Sequence, residues 1–292
     1  MKPPVFDYER PESVRAALDA LSRHAGKAKL LAGGHSLIPL LNLRLIKPGR
    51  LIDVSRLTEL QYIVEEFSQL RIGALTTHNT LLRSPIIAAH CPIMVEAYAH
   101  VANHSIRNRG TIGGNLCHND PAFEMPLVMS LLGATMLVRS ARTQRTIAAD
   151  RFFKAPFATD LAPDEMLVEI RVPRPPAGHG YSFLEVSQRF GDRALIAGGC
   201  LLTLRYGTCR DVRIGFRNAV HNVFRIPAAE ARLEGKPATA ASIADAAAAA
   251  AANATPAGDL HADEAYRRDL TATLTERMLR AACARAGQAI GD

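Results

Sequence analysis

Residues 107–124 read RNRGTIGGNLCHNDPAFE, and this stretch carries the clearest ligand-binding pattern in the chain. Its centre, TIGGN at 111–115, places two β-branched residues before two glycines and an amide, which predicts a strand that ends in a turn with unusual backbone angles. Adjacent glycines can point their N–H groups at a phosphate, and threonine and asparagine side chains can bind the same anion. The pattern also fits a plain glycine hairpin between two strands.

The second glycine pair lies far upstream, in LLAGGHSL at residues 30–37. Here an apolar strand again runs into two glycines, and Ser36 follows as a hydroxyl residue able to cap a helix. Two such loops predict a grip on one extended ligand with two phosphates, and a flavin dinucleotide has that shape. The chain contains neither G-x-G-x-x-G nor G-x-x-x-x-G-K-[ST]. Ile38 takes the place of the last glycine in a hydrolase elbow, so a serine hydrolase is not expected.

AGGHS at 32–36 and TIGGN at 111–115 resemble the paired FAD loops of the medium, flavin-binding subunit of molybdenum hydroxylases. That family includes the carbon monoxide dehydrogenase medium subunit and the flavin portion of xanthine dehydrogenase. Further similar segments follow in the family's order and extend the resemblance over nearly the whole chain. They are LLNLRLIKPGRLIDVS at 40–55, IGALTTH at 72–78, DPAFEMP at 120–126 and DLHADEAYRRDL at 259–270.

The resemblance implies an α+β fold, in which a PCMH-type FAD-binding fold of two lobes precedes a C-terminal domain. Alternating helix and strand patterns place the first lobe at 1–56 and the second at 57–174. The run 174–178, with two adjacent prolines, predicts the linker. The C-terminal α+β domain at 175–292, of the carbon monoxide dehydrogenase flavoprotein type, is expected to combine three antiparallel strands with helices.

The resemblance also implies which residues bind FAD. They are the first-loop residues Leu31, Ala32, Gly33, Gly34, His35, Ser36 and Leu37, the second-loop residues Gly110, Thr111, Ile112, Gly113, Gly114 and Asn115, and the separate residues Asp120, Glu124, Leu167 and Arg193. Glu124 corresponds to the position that accepts hydrogen bonds from ribityl hydroxyls, and Asp120 is expected to fix its loop. The alternatives left open are a simple turn at Asp120 and a helix-capping role for Glu124.

Arg193 departs from the family pattern. It lies in QRFGDRA at 188–194, which matches a loop that in relatives often carries an aromatic residue after Gly-Asp and lies beside the flavin ring. An arginine at this position could stack on the flavin, attract an anionic acceptor or point to solvent. His78 leaves a similar choice between hydrogen bonding near the flavin and capping the next helix.

Acid–base or covalent catalysis on a substrate is not predicted, because the ten histidines have no serine or cysteine partner at a recognisable spacing. No catalytic residue and no metal ligand is assigned. By resemblance, electrons come from a molybdopterin-binding large subunit through two [2Fe–2S] clusters of a small subunit, and FAD passes them to NAD, a quinone, a cytochrome or oxygen. The implied assembly is a dimer of heterotrimers. The alternatives are a self-sufficient FAD oxidoreductase, a nucleotide-binding module without redox work and an alanine-rich assembly protein.

The composition limits the remaining classes of function. The 292 residues carry a net charge of +7, but the arginines are dispersed and aromatic residues are few, which does not indicate nucleic-acid binding. The five cysteines form no C-x-x-C, so neither a disulfide framework nor a zinc or iron–sulfur site is predicted. Since the sequence shows no apolar run of about eighteen residues and no signal-peptide core, a cytoplasmic protein without an integral membrane segment is expected.

Overall fold

The computed structural model describes residues 1–218 and 224–290. Two compact units share these residues, and each is built from three separate parts of the chain. The first unit comprises Met1–Leu81, Asn103–Asn119 and Ala134–Pro173, and the second comprises Leu82–Ala102, Asp120–Gly133 and Arg174–Asp292. The second unit thus includes two segments from within the predicted second lobe, and the domain boundaries after residues 56 and 174 stay a prediction.

The helices and strands are mostly short. The first half of the chain contains β1 (Asp7–Glu9), α1 (Val14–Arg23), β2 (Ala28–Leu31), α2 (Leu37–Asn42), β3 (Arg50–Asp53), β4 (Ile63–Glu65), β5 (Gln69–Gly73), α3 (His78–Leu82), α4 (Pro85–His90), α5 (Pro92–His100), α6 (His104–Arg107), α7 (Ile112–His118) and α8 (Met125–Leu132). The second half contains β6 (Thr135–Arg139), β7 (Gln144–Ala148), α9 (Ala149–Phe152), β8 (Phe153–Ala155), β9 (Ala158–Thr159), β10 (Met166–Pro173), β11 (Gly180–Ser187), β12 (Ala194–Arg205), β13 (Thr208–Arg217), α10 (Pro227–Leu233), α11 (Ala240–Asn253) and α12 (Glu264–Arg285).

Two larger sheets organise the first unit. Strands β1, β3 and β2 pair in that order and run parallel, so their carboxyl ends lie along one edge of the sheet. The other sheet is antiparallel, has the order β4-β5-β10-β6-β7 and places β10 at its centre. Helix α1 buries Leu18 and Leu21 in one core cluster with Ile52 of β3. Its start is fixed by Ser13, whose hydroxyl accepts a hydrogen bond from the Ala16 N–H.

A three-stranded antiparallel sheet, in the order β11-β12-β13, organises the second unit. Two glycines of the central strand let helices approach closely from both sides. A Cβ on Gly198 would meet Met278 of α12, and a Cβ on Gly199 would meet Leu131 of α8. Because successive strand residues point to opposite faces, α12 and α8 cover opposite sides of this sheet. The sheet and its helices confirm the predicted C-terminal architecture, and both units mix helices with sheets as the α+β prediction requires.

The alanine-rich segment forms a packing helix. Helix α11 begins with a capping box between Thr239 and Ser242. It buries Ile243, Ala246 and Ala250 in the core cluster that also contains residues of α12. The small side chains therefore allow close contact between helices. Within residues 1–218 and 224–290, no helix combines the length and the apolar character that a bilayer crossing requires.

Candidate functional site

The first glycine loop leaves its backbone donors available to a ligand. It follows β2 at the carboxyl edge of the parallel sheet and leads into α2. Among the described residues, the N–H groups of residues 33–36 donate no hydrogen bond. Gly34 has a φ of +81°, in the left-handed region that a residue with a Cβ rarely adopts. The Ser36 side chain makes no capping hydrogen bond to α2, so the predicted capping role is wrong.

The second glycine loop has a different conformation from the predicted one. Instead of ending a strand, Thr111 caps helix α7, and its hydroxyl accepts a 3.1 Å hydrogen bond from the Gly114 N–H. The Gly113 N–H donates to the carbonyl oxygen of Ala74 at 2.9 Å. Neither glycine has a positive φ, so the predicted unusual angles are wrong, and both N–H groups are used inside the protein. The pattern misleads because threonine favours both strands and helix N-caps.

Close packing explains why both loops need glycine. A Cβ on Gly113 would lie 2.6 Å from the carbonyl oxygen of Ala74, and a Cβ on Gly33 would lie 2.2 Å from the carbonyl oxygen of Arg109. Both distances are far below ordinary van der Waals contact. Gly33 therefore touches the segment that leads into Thr111. In the first unit, the structure brings together the predicted residues 31–37 and 110–115.

A cavity of about 450 Å³ lies where the two loops meet. Its lining consists of Arg10, Ala32, Gly33, Asp53, Ser55, Arg56, Gln61, Leu75, Thr77, Asn108, Arg109 and Thr111. Residues of this lining follow the carboxyl ends of β1, β2 and β3, and the carboxyl edge of parallel strands is a common place for nucleotides. Three arginines make the cavity positive, which favours a diphosphate.

Asp53 is the acidic member of this lining. Its carboxylate accepts hydrogen bonds from the Tyr8 hydroxyl at 2.6 Å and from the Ser55 N–H at 2.9 Å. Burial acts to raise the pKa of Asp53, but these hydrogen bonds and the charge of Arg10 outweigh it and hold the pKa below its ordinary value. The ionised carboxylate is therefore stable beside the cavity.

Asn115 adds an unpaired buried polar atom to the second loop. The residue is only 7% exposed, and its Oδ1 atom is buried with no hydrogen-bond partner among the described residues. Buried polar atoms in folded proteins are nearly always paired. The available N–H groups of the first loop, the positive cavity and this side chain together fit the diphosphate and hydroxyl groups of FAD.

His78 lies behind the second loop. Its backbone N–H donates to the carbonyl oxygen of Gly110 at 2.9 Å, and a Cβ on Gly110 would lie 2.8 Å from its ring. Burial lowers the pKa of His78 to about 3, with smaller contributions from the charges of Arg107 and His35. The imidazole is therefore neutral at ordinary pH and forms part of the packing under the loop.

Asp120 belongs to the second unit, where it holds the turn before α8. Its carboxylate accepts a 3.0 Å hydrogen bond from the Ala122 N–H, and its carbonyl oxygen accepts one from the Arg217 guanidinium. Arg193 forms an ion pair with the Asp120 carboxylate at 3.3 Å, although the Arg193 side chain is 77% exposed. Of the alternatives for Arg193, exposure to solvent is observed, together with an ion pair that the sequence patterns did not predict.

Glu124 also belongs to the second unit, at the start of α8. Its side chain makes no capping hydrogen bond, so the helix-capping alternative is wrong. Glu124 is 4% exposed, and burial raises its pKa to about 7 although Arg217 opposes the rise.

Leu167 lies in the first unit, buried in β10 opposite Val138 of β6, and is not part of the cavity lining.

Sequence patterns missed the charged residues of the cavity. Asp53 and Arg56 follow β3 in the segment LIDVSR, and the rule that ligand groups follow the carboxyl ends of parallel strands could have identified them. Arg10 follows β1, a strand of only three residues that pairs with β3. A strand this short carries no periodic pattern, so no sequence signal marks Arg10.

Comparison with known proteins gives matches over almost the whole chain. Residues 4–175 match the family described as FAD binding domain in molybdopterin dehydrogenase, and residues 181–282 match the CO dehydrogenase flavoprotein C-terminal domain. The carbon monoxide dehydrogenase medium chain of Hydrogenophaga pseudoflava is 38% identical over 287 residues, which cover 98% of this chain and 99% of the relative. The nicotine 6-hydroxylase medium subunit of Paenarthrobacter nicotinovorans is 37% identical over 285 residues, covering 98% and 100%.

A solved structure agrees with these matches. Carbon monoxide dehydrogenase from Hydrogenophaga pseudoflava contains a chain that superimposes with a TM-score of 0.94 at 40% identity, covering 98% of this chain and 99% of that one. The matched families account for both the FAD-binding part and the C-terminal sheet. This chain therefore belongs to the FAD-binding medium subunits of the molybdenum hydroxylases, the family of the carbon monoxide dehydrogenase medium chain and the xanthine dehydrogenase FAD-binding subunit, and is an oxidoreductase flavoprotein subunit.

Proposed function

We propose that this chain is the electron-transfer subunit of a molybdenum hydroxylase complex, in which electrons from [2Fe–2S] clusters of a partner subunit pass through FAD to a final acceptor. The observation that carries the proposal is the meeting of the two glycine loops, with Gly33 against Arg109 and unused N–H groups at residues 33–36 among the described residues. FAD, when bound, supplies the redox chemistry. NAD, a quinone, a cytochrome and oxygen are the candidate acceptors.

In this proposal the two loops bind FAD through different groups. We assign the FAD diphosphate to residues 31–37, because this loop offers backbone donors that the protein itself does not use. Residues 110–115 pack tightly beside the first loop and supply the side chains of Thr111 and Asn115. The resemblance to relatives adds a further set of proposed FAD-binding residues, namely Asp120, Glu124, Leu167 and Arg193.

The chain's own residues bind and orient, and they do not carry out substrate chemistry. The acidic residue of the cavity, Asp53, already accepts hydrogen bonds from Tyr8 and Ser55. His78 is buried under Gly110 with its pKa lowered to about 3, which leaves it unsuited to proton transfer near neutral pH. These contacts favour a role in holding the cofactor over a role in acid–base catalysis.

The relatives support the assignment of partners. The matched chains are named as the medium chain of carbon monoxide dehydrogenase and the medium subunit of nicotine 6-hydroxylase. The solved carbon monoxide dehydrogenase is described as lacking the Mo-pyranopterin moiety of the molybdenum cofactor, so that enzyme uses this cofactor. We propose a molybdopterin-binding large subunit and a [2Fe–2S] small subunit as partners, in a cytoplasmic dimer of heterotrimers. Since the relatives act on different substrates, we assign substrate choice to the large subunit.

Reconstitution tests the proposal. The purified chain, freed of flavin and resupplied with FAD, should show the absorption bands of oxidised bound flavin and melt at a higher temperature. Reduced large and small subunits should bleach these bands, whereas small organic substrates added to the chain alone should not. Protein that stays colourless in excess FAD and gains no thermal protection would refute FAD binding. Bleaching by a substrate without partner subunits would instead support the self-sufficient oxidoreductase.

A further inference from the structure

A strongly apolar segment of the first unit is exposed to solvent. Residues 37–46 read LIPLLNLRLI, form α2 and the turn after it, and bury only Leu41. Ile38, Leu43 and Leu45 are 39%, 52% and 68% exposed. Single exposed apolar residues are common on protein surfaces, but several of them on one short segment mark an interaction site. Packing of the first unit therefore leaves this segment without a partner for its apolar side chains.

The turn after α2 is held in a strained conformation. Arg44 has a φ of +57°, in the left-handed region that a residue with a Cβ rarely adopts. The Leu45 N–H donates to the Leu40 carbonyl oxygen at 3.0 Å, and the Arg44 Nε donates to the Lys2 carbonyl oxygen at 3.2 Å. These hydrogen bonds fix a turn on which the flanking leucines stay exposed. Such strain indicates a use of this surface beyond folding of the chain.

The charges carried by this part of the chain are all positive. Between Asp19 and Asp53 the sequence contains no acidic residue, and its cations are Arg23, Lys27, Lys29, Arg44, Lys47 and Arg50. Arg23 and Arg50 form ion pairs with acidic residues of β1. The other four are exposed and form no ion pair among the described residues. A partner with acidic groups around an apolar centre fits this surface, whereas a second copy of the chain would bring like charges together.

The position of the segment beside the first glycine loop indicates which partner it binds. Helix α2 begins at Leu37, directly after residues 33–36, whose N–H groups we assign to the FAD diphosphate. The subunit that delivers electrons has to come close to FAD, because electron transfer slows steeply with distance. A membrane surface also attracts basic and apolar groups, but the amphipathic helices that lie on membranes are commonly far longer than the six residues of α2.

We propose that the α2 surface, made of Ile38, Leu43, Arg44, Leu45 and Lys47, docks an apolar face with an acidic rim on the [2Fe–2S] small subunit. This inference rests on the proposed function of the chain. Docking removes the three apolar side chains from water, and the two cations guide the approach of the acidic partner. The electron donor is then held next to the first glycine loop.

Two substitutions in the α2 surface test the inference. L45E places a charge in the apolar centre, so the dissociation constant of the FAD-loaded chain for the small subunit should rise at least about 10-fold. K47E should slow association about 3- to 10-fold at low salt, and the difference should vanish near 1 M salt because charges are then screened. Both variants should keep the wild-type FAD dissociation constant and melting temperature, since both residues are exposed.

Phe67 and Arg142 supply matched controls, because both are exposed residues of the first unit outside the α2 surface. F67E and R142E should leave the affinity for the small subunit and the association rate unchanged. The inference is overturned if L45E binds the small subunit within twofold of wild type, or if F67E weakens that binding equally.

A photo-crosslink identifies the partner in the assembled complex. With p-benzoylphenylalanine in place of Leu45, the crosslinked chain found by mass spectrometry should be the small subunit. Crosslinks to the large subunit or to a second copy of this chain would overturn the inference. Wild-type binding to vesicles of phosphatidylglycerol and phosphatidylcholine that L45E abolishes would overturn it as well. Wild-type protein that binds no FAD would refute the proposed function itself, and this inference with it.

Discussion

The first and second glycine loops have similar sequences, yet they offer a ligand different groups. In the first loop, the N–H groups of residues 33–36 have no acceptor among the described residues, and Gly34 adopts a positive φ. In the second loop, Gly113 and Gly114 stand in the first turn of α7 and donate to protein oxygens. The first loop therefore presents backbone, whereas the second presents side chains, above all that of Asn115. A glycine pair in a sequence therefore does not by itself predict a loop that binds an anion through its backbone N–H groups.

The largest expected effect comes from G33A, which disrupts the contact between the two glycine loops. The new Cβ would lie 2.2 Å from the backbone carbonyl of Arg109, and backbone cannot move aside as a side chain can. We expect a loss of about 1–3 kcal/mol in the free energy of unfolding from overpacking. The FAD dissociation constant should rise by at least about 100-fold, because the first loop must shift away from the second.

Gly49 supplies the control for G33A. A Cβ on Gly49 would meet only the Lys27 carbonyl oxygen at 3.6 Å, an ordinary contact, and Gly49 has no positive φ. G49A should therefore keep wild-type FAD affinity and unfold at a similar denaturant concentration. Equal effects of G33A and G49A in urea unfolding and flavin titration would show that the loops do not depend on their contact.

Acid should affect the second loop through His78. The folded-state pKa of about 3 lies below the ordinary value of 6.5, so the unfolded chain binds more protons between these pH values. The free energy of unfolding therefore has its full value, as far as His78 is concerned, above about pH 6.5. It falls as pH drops from 6.5 towards 3, and the loss is about 2 kcal/mol at pH 5. H78N should lose less stability than wild type between pH 7.5 and 5 in urea unfolding. Parallel losses in both proteins would contradict this origin.

The left-handed backbone of Gly34 predicts a smaller effect that distinguishes strain from ligand contact. G34A should cost about 1–2 kcal/mol of unfolding free energy, because a Cβ disfavours a positive φ. Gly26 has a φ of +76° with nothing within 4 Å of its Cβ position, so G26A should carry a similar strain. Only G34A should also weaken FAD binding, by about 10-fold or more. If G26A weakened FAD binding equally, the first loop would have no special role.

The smallest expected effect concerns Asn115. N115A removes a buried oxygen that has no partner among the described residues, so the flavin-free protein should keep its free energy of unfolding within about 1 kcal/mol. The FAD dissociation constant should rise about 5- to 10-fold, since one hydrogen bond to the cofactor is lost. Isothermal titration with FAD measures this change. An unchanged affinity would mean that the second loop serves packing alone.

Local sequence patterns predicted the strand before the first loop and the three C-terminal strands. The apolar run before Gly33 forms β2, and the alternating segments after the proline linker form β11, β12 and β13. The prediction of a strand end at TIGGN was wrong. A β-branched pair before glycines resembles a strand end, but in the structure Thr111 caps a helix. The choice between these depends on the hydrogen bond from Gly113 to Ala74, which lies almost forty residues away and leaves no local signal.

Other parts of the candidate site depend entirely on tertiary structure. Arg10 becomes a cavity residue because β1 pairs with β3, and three residues carry no pattern that predicts this pairing.

The position of β10 has a consequence for synthesis of the protein. Strands β5 and β6 each pair with β10 and not with each other, so the five-stranded sheet stays in two halves until residues 166–173 have been translated. At translation rates of about 5–20 residues per second, β5 waits on the order of 5–20 s for its partner. During that interval the nascent chain displays open strand edges that invite aggregation. Ribosome-associated chaperones therefore have a defined window in which to shield this chain.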